Sequence, residues 1–328
     1  MTRRTHVAEL VERAREGDAR AVARLVSLVE DEAVELPEVM ALLAPSGGRA
    51  RVVGLTGAPG VGKSTATSAL VSAYRARGER VGVVAVDPTS PFSGGALLGD
   101  RVRMQEHATD PGVYIRSMAS RGHLGGLAWS TPQALHVLDG AGCDVVLVET
   151  VGVGQSEVEV AGLCDTVVVL LAPGAGDDVQ AAKAGILEIG DVYVVNKADR
   201  DGADSTVREL RHVVALAPKE RDGWRRPVLR TVAATGDGVG ELVETLDAHR
   251  EWAVRTGALD RRRLARAAAE VEAIAVTRLH RRLVSVRRGQ RLDELAAEVA
   301  AGRLDAHAAA DRLLADLVSG DATPTART

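Results

Sequence analysis

The 328-residue sequence has few aromatic residues, few cysteines and no large excess of charge of one sign. It contains three Trp, three Tyr and one Phe, and its formal net charge is −4 at pH 7. Stacking on single-stranded nucleic acid needs exposed rings, and attraction of polyanions needs a basic protein. We therefore expect no nucleic-acid partner. The hydrophobic content of 46% excludes a mainly disordered chain. Because aromatic residues are few, the core must consist of Val, Leu, Ile and Ala.

The two cysteines, Cys143 and Cys164, do not form a CxxC pair. Two residues are too few for the roughly four ligands of a structural zinc site, so we expect buried, reduced thiols. The N-terminal residues carry charges throughout, unlike a signal peptide, and no run approaches the ~18 apolar residues of a membrane span. The sequence therefore predicts a soluble cytoplasmic protein with no membrane partner.

Short apolar runs alternate with amphipathic segments through the middle of the chain. The runs are rich in Val and bounded by Gly, Asp or Pro, as expected for strands buried on both faces of a parallel sheet. They lie at residues 51–56, 81–86, 113–116, 144–148, 166–171, 191–195 and 227–232. This alternation predicts an α/β fold with a mostly parallel central sheet, flanked by helices and extended by helices at both ends.

Composition divides the chain into four regions. We expect an N-terminal helical extension at 1–48, an α/β domain at 49–256, a C-terminal helical arm at 257–320 and a disordered tail at 321–328. In the arm, apolar residues recur at spacings of three and four from Leu264 to Leu279 and form a stripe along one helix face. Twelve arginines between residues 250 and 291 form either a solvated helix face or a surface that docks an acidic partner or a second copy.

Residues 57–64 read GAPGVGKS and match the phosphate-binding pattern GxxxxGK[ST] in full. An apolar run precedes the pattern and a helical segment follows it, which is the context that phosphate binding requires. Backbone N–H groups of the glycine-rich turn and the positive end of the helix bind phosphate oxygens. We expect Lys63 to contact the β- and γ-phosphates and Ser64 to ligate Mg²⁺.

A second pattern, Asn196-Lys197-Ala198-Asp199, directly follows the run 191–195 and matches N-K-x-D, which reads guanine. The carboxylate of Asp199 can accept from both N1–H and the 2-amino group of guanine, a pair of donors that adenine lacks. We expect Asn196 to brace the phosphate-binding loop and the stem of Lys197 to lie over the base.

Three further acids are candidates for a metal site. Glu149 ends the run 144–148, where P-loop proteins more commonly place an aspartate that holds Mg²⁺ through water. Asp87 ends the run 81–86, and Asp100 opens the next helical segment. Together with Ser64 they supply oxygen ligands, which suit Mg²⁺.

Four segments, GAPGVGKST, DPTSPFSGGALLGDRVRM, ETVGVGQSE and NKAD, occur in this order and resemble the MeaB/ArgK/MMAA family over roughly residues 5–320. Its members are P-loop GTPases of the SIMIBI class that assist adenosylcobalamin-dependent methylmalonyl-CoA mutase. The resemblance implies a metallochaperone that binds and hydrolyses GTP with Mg²⁺. It also implies that this activity serves cobalamin loading and protection of the mutase, and that the C-terminal helices form a homodimer.

The resemblance also implies roles for particular residues. Asp87, Asp100 and Glu149 match the family's acids around Mg²⁺. Residues 174–183 match a segment that relatives reposition when the mutase docks, and its candidate switch residues are Asp177, Gln180 and Lys183. Relatives commonly have Ser-Ala in the loop that contacts guanine O6, where this chain has Val232-Ala233, whose second backbone N–H can still donate. Val153 stands where Ras-like GTPases carry a water-positioning glutamine, so slow intrinsic hydrolysis is expected.

The predicted nucleotide-binding residues are Gly57, Ala58, Pro59, Gly60, Val61, Gly62, Lys63, Ser64, Thr65, Asn196, Lys197, Asp199, Val232 and Ala233. Those predicted to be catalytic are Lys63, Asp87 and Glu149, and those predicted to ligate metal are Ser64, Asp87, Asp100 and Glu149.

Three other functions fit the sequence less well. A metal-insertion GTPase of the hydrogenase or urease accessory type would usually carry His- or Cys-rich motifs, which this sequence lacks. A small-metabolite kinase would not need N-K-x-D, and an inactive scaffold would not need the intact Lys63 and Ser64.

Overall fold

The structure is a computed structural model of the single chain. It describes residues 3–88, 104–120, 130–150, 162–174, 186–216, 223–287 and 290–319. The chain divides into two compact units, Met1–Arg263 and Leu264–Thr328. Within the described ranges, none of the helices has the length and apolar character needed to cross a membrane.

Three helices, α1 (Arg3–Arg15), α2 (Ala19–Glu30) and α3 (Leu36–Leu43), open the first unit, and a short 3-10 turn, Ala44–Ser46, follows them. The Asp18 side chain caps α2, because its carboxylate accepts from the backbone N–H groups of Arg20 (2.8 Å) and Ala21 (3.2 Å). One face of these helices is apolar and buried, with Val7, Leu10, Val11, Ala14, Ala21, Leu25 and Val29 in the core and Leu28 packed against it.

Seven strands form one parallel sheet within the described residues: β1 (Arg51–Thr56), β2 (Val81–Pro88), β3 (Val113–Ser120), β4 (Val145–Thr150), β5 (Thr166–Leu171), β6 (Val192–Asn196) and β7 (Val228–Thr231). Their order in the sheet is β3-β2-β4-β1-β5-β6-β7. Each predicted apolar run coincides with a strand, so the predicted α/β fold with a parallel sheet is confirmed. The strands are Val-rich because both faces of the sheet are covered.

The described residues also contain the α-helices α4 (Lys63–Ala76), α5 (Thr131–Gly140), α6 (Ile186–Ile189), α7 (Ala203–Leu216), α8 (Val239–Arg255), α9 (Ala258–Arg287), α10 (Gln290–Ala300) and α11 (Ala306–Ser319). Successive residues of a strand point to opposite faces. In β4, Val146 and Val148 join the core shared with α1–α3, α5 and α7, whereas Val145 and Leu147 join the core shared with α4 and α8. The first unit therefore has three layers.

The strand order places the segment after β1 at the centre of the sheet. β1 pairs with β4 on one side and β5 on the other, so the chain turns in opposite directions around it. Ligands of open α/β sheets bind beyond the carboxyl ends of the strands at such a switch point. Thr56, Glu149 and Asn196 lie at this edge.

At the amino ends of the strands, two aspartates that precede β5 and β6 pair with arginines at the start of α9. Arg262 donates to both carboxylate oxygens of Asp191 (2.6 and 2.7 Å), and Arg263 donates to Asp165 (2.7 Å). Burial alone would raise the pKa of Asp191, but the hydrogen bonds from Arg262, with a further contribution from the nearby His249, outweigh burial and lower it. At least these two of the twelve arginines are therefore held against acids of the first unit.

We predict that Arg262→Ala lowers the free energy of unfolding by about 2–3 kcal/mol, because it leaves the buried Asp191 carboxylate without its bidentate partner. Since the pKa of Asp191 is lowered, this contribution is present above pH ~4 and is lost as the pH falls further. Urea unfolding at pH 7 and below pH 4 measures both effects. Arg255→Ala, at an exposed position near the end of α8, is the control. Equal stability of the two variants at pH 7 would contradict the prediction.

Candidate nucleotide-binding site

The segment between β1 and α4 is a tight glycine-rich loop. Gly57, Gly60 and Gly62 have φ of 142°, 83° and 94°, a region that favours glycine. A Cβ at Gly57 would collide with the carbonyl oxygen of Leu170, and one at Gly62 would lie 2.5 Å from Nδ2 of Asn196. The loop therefore needs glycine at both positions, for conformation and for space.

Two lysines donate to carbonyl oxygens of this loop. Lys63, buried at the start of α4, donates from Nζ to the carbonyl oxygens of Gly57 (2.7 Å) and Ala58 (3.1 Å). Lys197 donates to the carbonyl oxygen of Gly60 (2.6 Å) and has a φ of 55°, which is uncommon for a residue with a side chain. The ammonium groups of both lysines lie at the loop, and α4 begins here with the positive end of its dipole. This end of the loop is therefore electropositive.

Asn196 joins three segments through one buried carboxamide. Its Nδ2 donates to the carbonyl oxygen of Val61 (2.9 Å), which is the brace expected from the sequence. Its Oδ1 accepts from the hydroxyl of Thr231 and from the backbone N–H of Ala233, both at 3.1 Å. The loops after β1, β6 and β7 are thus held together at one point.

The hydrogen bond from Ala233 to Asn196 bears on the expected contact with guanine O6. The sequence leaves the backbone N–H of Ala233 available for guanine O6, but here that N–H donates to the Asn196 carboxamide. The turn after β7 brings Ala233 next to a buried acceptor, and a buried amide takes such a partner. A base oxygen at this position would have to share the N–H with Asn196.

Glu149 and Ser64, two of the predicted metal residues, are in direct contact. The Glu149 side chain is buried, and its Oε1 accepts from the hydroxyl of Ser64 (2.6 Å). Its Oε2 accepts from the hydroxyl of Thr67 (3.0 Å), a residue that the sequence analysis missed. The spacing of Ser64 and Thr67 is the sequence signal that could have found it, because residues three apart share one helix face.

The other predicted residues fall into two groups. Asp199 and Thr65 are exposed, Val232 is half-buried, and Asp87 lies in β2 in register with Ala119 of β3. Asp100, Asp177, Gln180, Lys183 and Val153 lie outside the described residues. Across the ranges that the structure describes, no three His, Cys, Asp or Glu side chains gather in a group that could hold a metal ion. Ser64 and Glu149 are the predicted metal residues whose side chains the structure describes, and both offer oxygen donors that fit Mg²⁺.

Comparison with known proteins identifies the family of this chain. Residues 22–288 match the family model described as methylmalonyl-CoA mutase-associated GTPase MeaB. The chain belongs to the MeaB family. The resemblance drawn from the four sequence segments is thereby confirmed, and with it membership of a family of GTPases.

MeaB relatives occur in archaea, bacteria and animals. A Pyrococcus abyssi protein with a GTPase name is 48% identical over 315 residues, which are 95% of this chain and 97% of that protein. The methylmalonic aciduria type A homolog of Mus musculus, named as mitochondrial, is 40% identical over 64% of this chain and 52% of its own length. The crystal structure of an LAO/AO transport system kinase has a TM-score of 0.70 at 24% identity, covers 97% of this chain and 99% of its own, and shares the fold.

We predict that Asn196→Ala lowers the free energy of unfolding by about 2–3 kcal/mol, because it leaves the buried N–H of Ala233 and the hydroxyl of Thr231 without this acceptor. Urea unfolding measures the loss. Asp201→Ala, at an exposed position in the following loop, is the matched control and should stay within ~0.5 kcal/mol of the unsubstituted protein. An Asn196→Ala variant as stable as this control would refute the bridging role of the carboxamide.

Proposed function

We propose that this protein is a Mg²⁺-dependent GTPase that acts as a metallochaperone for methylmalonyl-CoA mutase, assisting adenosylcobalamin loading and protecting the mutase. One observation supports the nucleotide half of the proposal most strongly. The carboxamide of Asn196 joins the phosphate-binding loop to the N-K-x-D segment, so that a phosphate site and a guanine-reading carboxylate belong to one site.

Different residues of this site would bind the phosphates and the base of the nucleotide. Backbone N–H groups of residues 57–65, other than Pro59, and the N-terminus of α4 bind the phosphates, and Lys63 exchanges its carbonyl contacts for phosphate oxygens. Asp199, exposed after β6, accepts from the base, over which the stem of Lys197 lies. Val232 and Ala233 close the base site from the β7 side.

Mg²⁺ would be held by Ser64 and Glu149, together with Asp87 and Asp100 from the sequence prediction. When bound, the ion neutralises charge that develops on the phosphates. Lys63 stabilises the same charge, and the contact from Ser64 orients the Glu149 carboxylate. Lys63, Asp87 and Glu149 are thus the proposed catalytic residues.

The mutase as partner rests on the family. The description of the matched family names association with the mutase, and the Mus musculus relative is named for methylmalonic aciduria. We assign the switch that responds to docking of the mutase to Asp177, Gln180 and Lys183. We also place the protein in the cytoplasm on sequence grounds. Hydrolysis without the mutase is expected to be slow, because Val153 cannot position water.

We also propose the domain division 1–48, 49–256, 257–320 and 321–328, with the arm forming a homodimer. Leu264, Val271 and Leu279 of α9 are 73%, 68% and 57% exposed in the single chain. An apolar stripe of this kind is stabilised when a second copy covers it, and a two-fold axis lets each stripe pack against its counterpart.

Nucleotide selectivity tests the GTPase proposal. GDP and GTP should bind far more tightly than ADP and ATP, and Asp199→Asn should lose this preference and gain xanthine nucleotides, whose O2 accepts where guanine donates. Calorimetric titration of both proteins with guanine, adenine and xanthine diphosphates measures the change, and Asp201→Asn serves as a control. Equal affinity of the unsubstituted protein for GDP and ADP would refute the assignment.

Truncation tests the homodimer. The sequence places the cut near residue 256, but Arg262 and Arg263 pair with acids of the first unit, so we place it after Ala267. The full chain should sediment as a dimer at micromolar concentration, and residues 1–267 as a monomer that still binds GDP. A monomeric full chain, or a truncated chain that stays dimeric, would remove the arm from this role.

A further inference from the structure

Two hydroxyl groups from one helix hold the buried carboxylate of Glu149. Ser64 donates to Oε1 (2.6 Å), and Thr67 donates to Oε2 (3.0 Å). The two residues are three apart on α4 and therefore share one face of the helix. Ser64 belongs to the phosphate-binding pattern, whereas Thr67 lies outside it and none of the nucleotide motifs accounts for it.

The position of Thr67 is itself fixed. Its side chain is fully buried, and its Oγ1 also lies 3.0 Å from the carbonyl oxygen of Lys63, four residues earlier. A threonine in a helix has few rotamers, and a bond to that carbonyl selects among them. The hydroxyl therefore faces Glu149 from a rigid part of the site, at the helix that begins at the phosphate-binding loop.

A glutamate has more need of a second contact than an aspartate in this place. It carries one more methylene and one more rotatable bond than the aspartate that is commoner at the end of this strand. A bond from Ser64 to one oxygen leaves the carboxylate free to turn about that oxygen, and a bond to the other oxygen fixes its plane. Hydrogen bonds to an ionised carboxylate are the stronger kind and suit this task.

We propose that Thr67 is a positioning residue, which holds the Glu149 carboxylate in the plane that the Mg²⁺-bound nucleotide requires. The inference rests on the proposed function, because the plane of Glu149 matters to binding only in a protein that takes up Mg²⁺ with a guanine nucleotide. Thr67 acts through Glu149, since its single hydroxyl proton is shared between the Glu149 carboxylate and the Lys63 carbonyl, both at 3.0 Å.

Three variants test the inference in the full-length protein. Thr67→Val keeps the shape and removes the hydroxyl, and Thr67→Ser keeps the hydroxyl. Thr206→Val is the matched control, because Thr206 is also a buried helical threonine bonded to the carbonyl four residues earlier, that of Gly202 (3.2 Å). The readouts are the Mg²⁺ concentration that half-maximally slows release of a fluorescent GDP analogue, and kcat and KM for GTP.

Thr67→Val should raise the half-maximal Mg²⁺ concentration about tenfold and lower kcat by a similar factor, as expected for one lost bond to a charged group. Its GDP affinity in EDTA and its KM for GTP should stay unchanged. Thr67→Ser should restore both values, and Thr206→Val should match the unsubstituted protein. Should Thr67→Val fail to fold, Thr67→Ala takes its place in the same comparison.

Two results would overturn the inference. One is a Thr67→Val protein with the Mg²⁺ dependence of Thr206→Val, and the other is a Thr67→Ser protein as impaired as Thr67→Val, which would assign Thr67 to packing alone. Failure of the unsubstituted protein to bind GDP is a separate outcome, because it overturns the proposed function and this inference with it.

Discussion

A single buried carboxamide, that of Asn196, joins three segments that lie far apart in the sequence. It bonds to Val61 in the phosphate-binding loop and to Thr231 and Ala233 around the end of β7, while its own backbone ends β6. Gly62 must lack a side chain because Asn196 occupies that space. The phosphate-binding loop and the N-K-x-D segment are therefore held in a fixed relation, and preorganisation of this kind favours affinity.

The strand that ends at Asn196 is also fixed where it begins. Asp191, one residue before β6, is held by Arg262, and Asp165, one residue before β5, is held by Arg263. The first turns of α9 thus contact the amino ends of two strands, one of which ends at the N-K-x-D segment. Both carboxylates are buried and both arginines are partly exposed, and the two pairs hold the start of α9 against the sheet.

Most of the architecture follows from the sequence because its determinants are local. Val-rich runs predict the seven strands that the described residues contain, and a glycine-rich turn between a strand and a helix predicts the phosphate-binding loop. The contacts of Arg262 and Arg263 could not be predicted, since their partners lie 71 and 98 residues away and an arginine-rich helix carries no signal for them. Likewise, no local pattern shows that the N–H of Ala233 turns toward Asn196, because that depends on how β6 and β7 align. Thr67 lies between these cases, since its spacing from Ser64 is visible but its partner Glu149 is 82 residues away.

The rate of GTP hydrolysis, measured with and without methylmalonyl-CoA mutase, tests the central claim most directly. The proposed guanine site, with Val153 in place of the Ras-like glutamine, predicts slow turnover by the protein alone and a saturable increase as mutase is added, with no turnover of ATP in either case. A rate that stays the same at saturating mutase, in a protein that binds GDP, would contradict the assignment of the mutase as its partner.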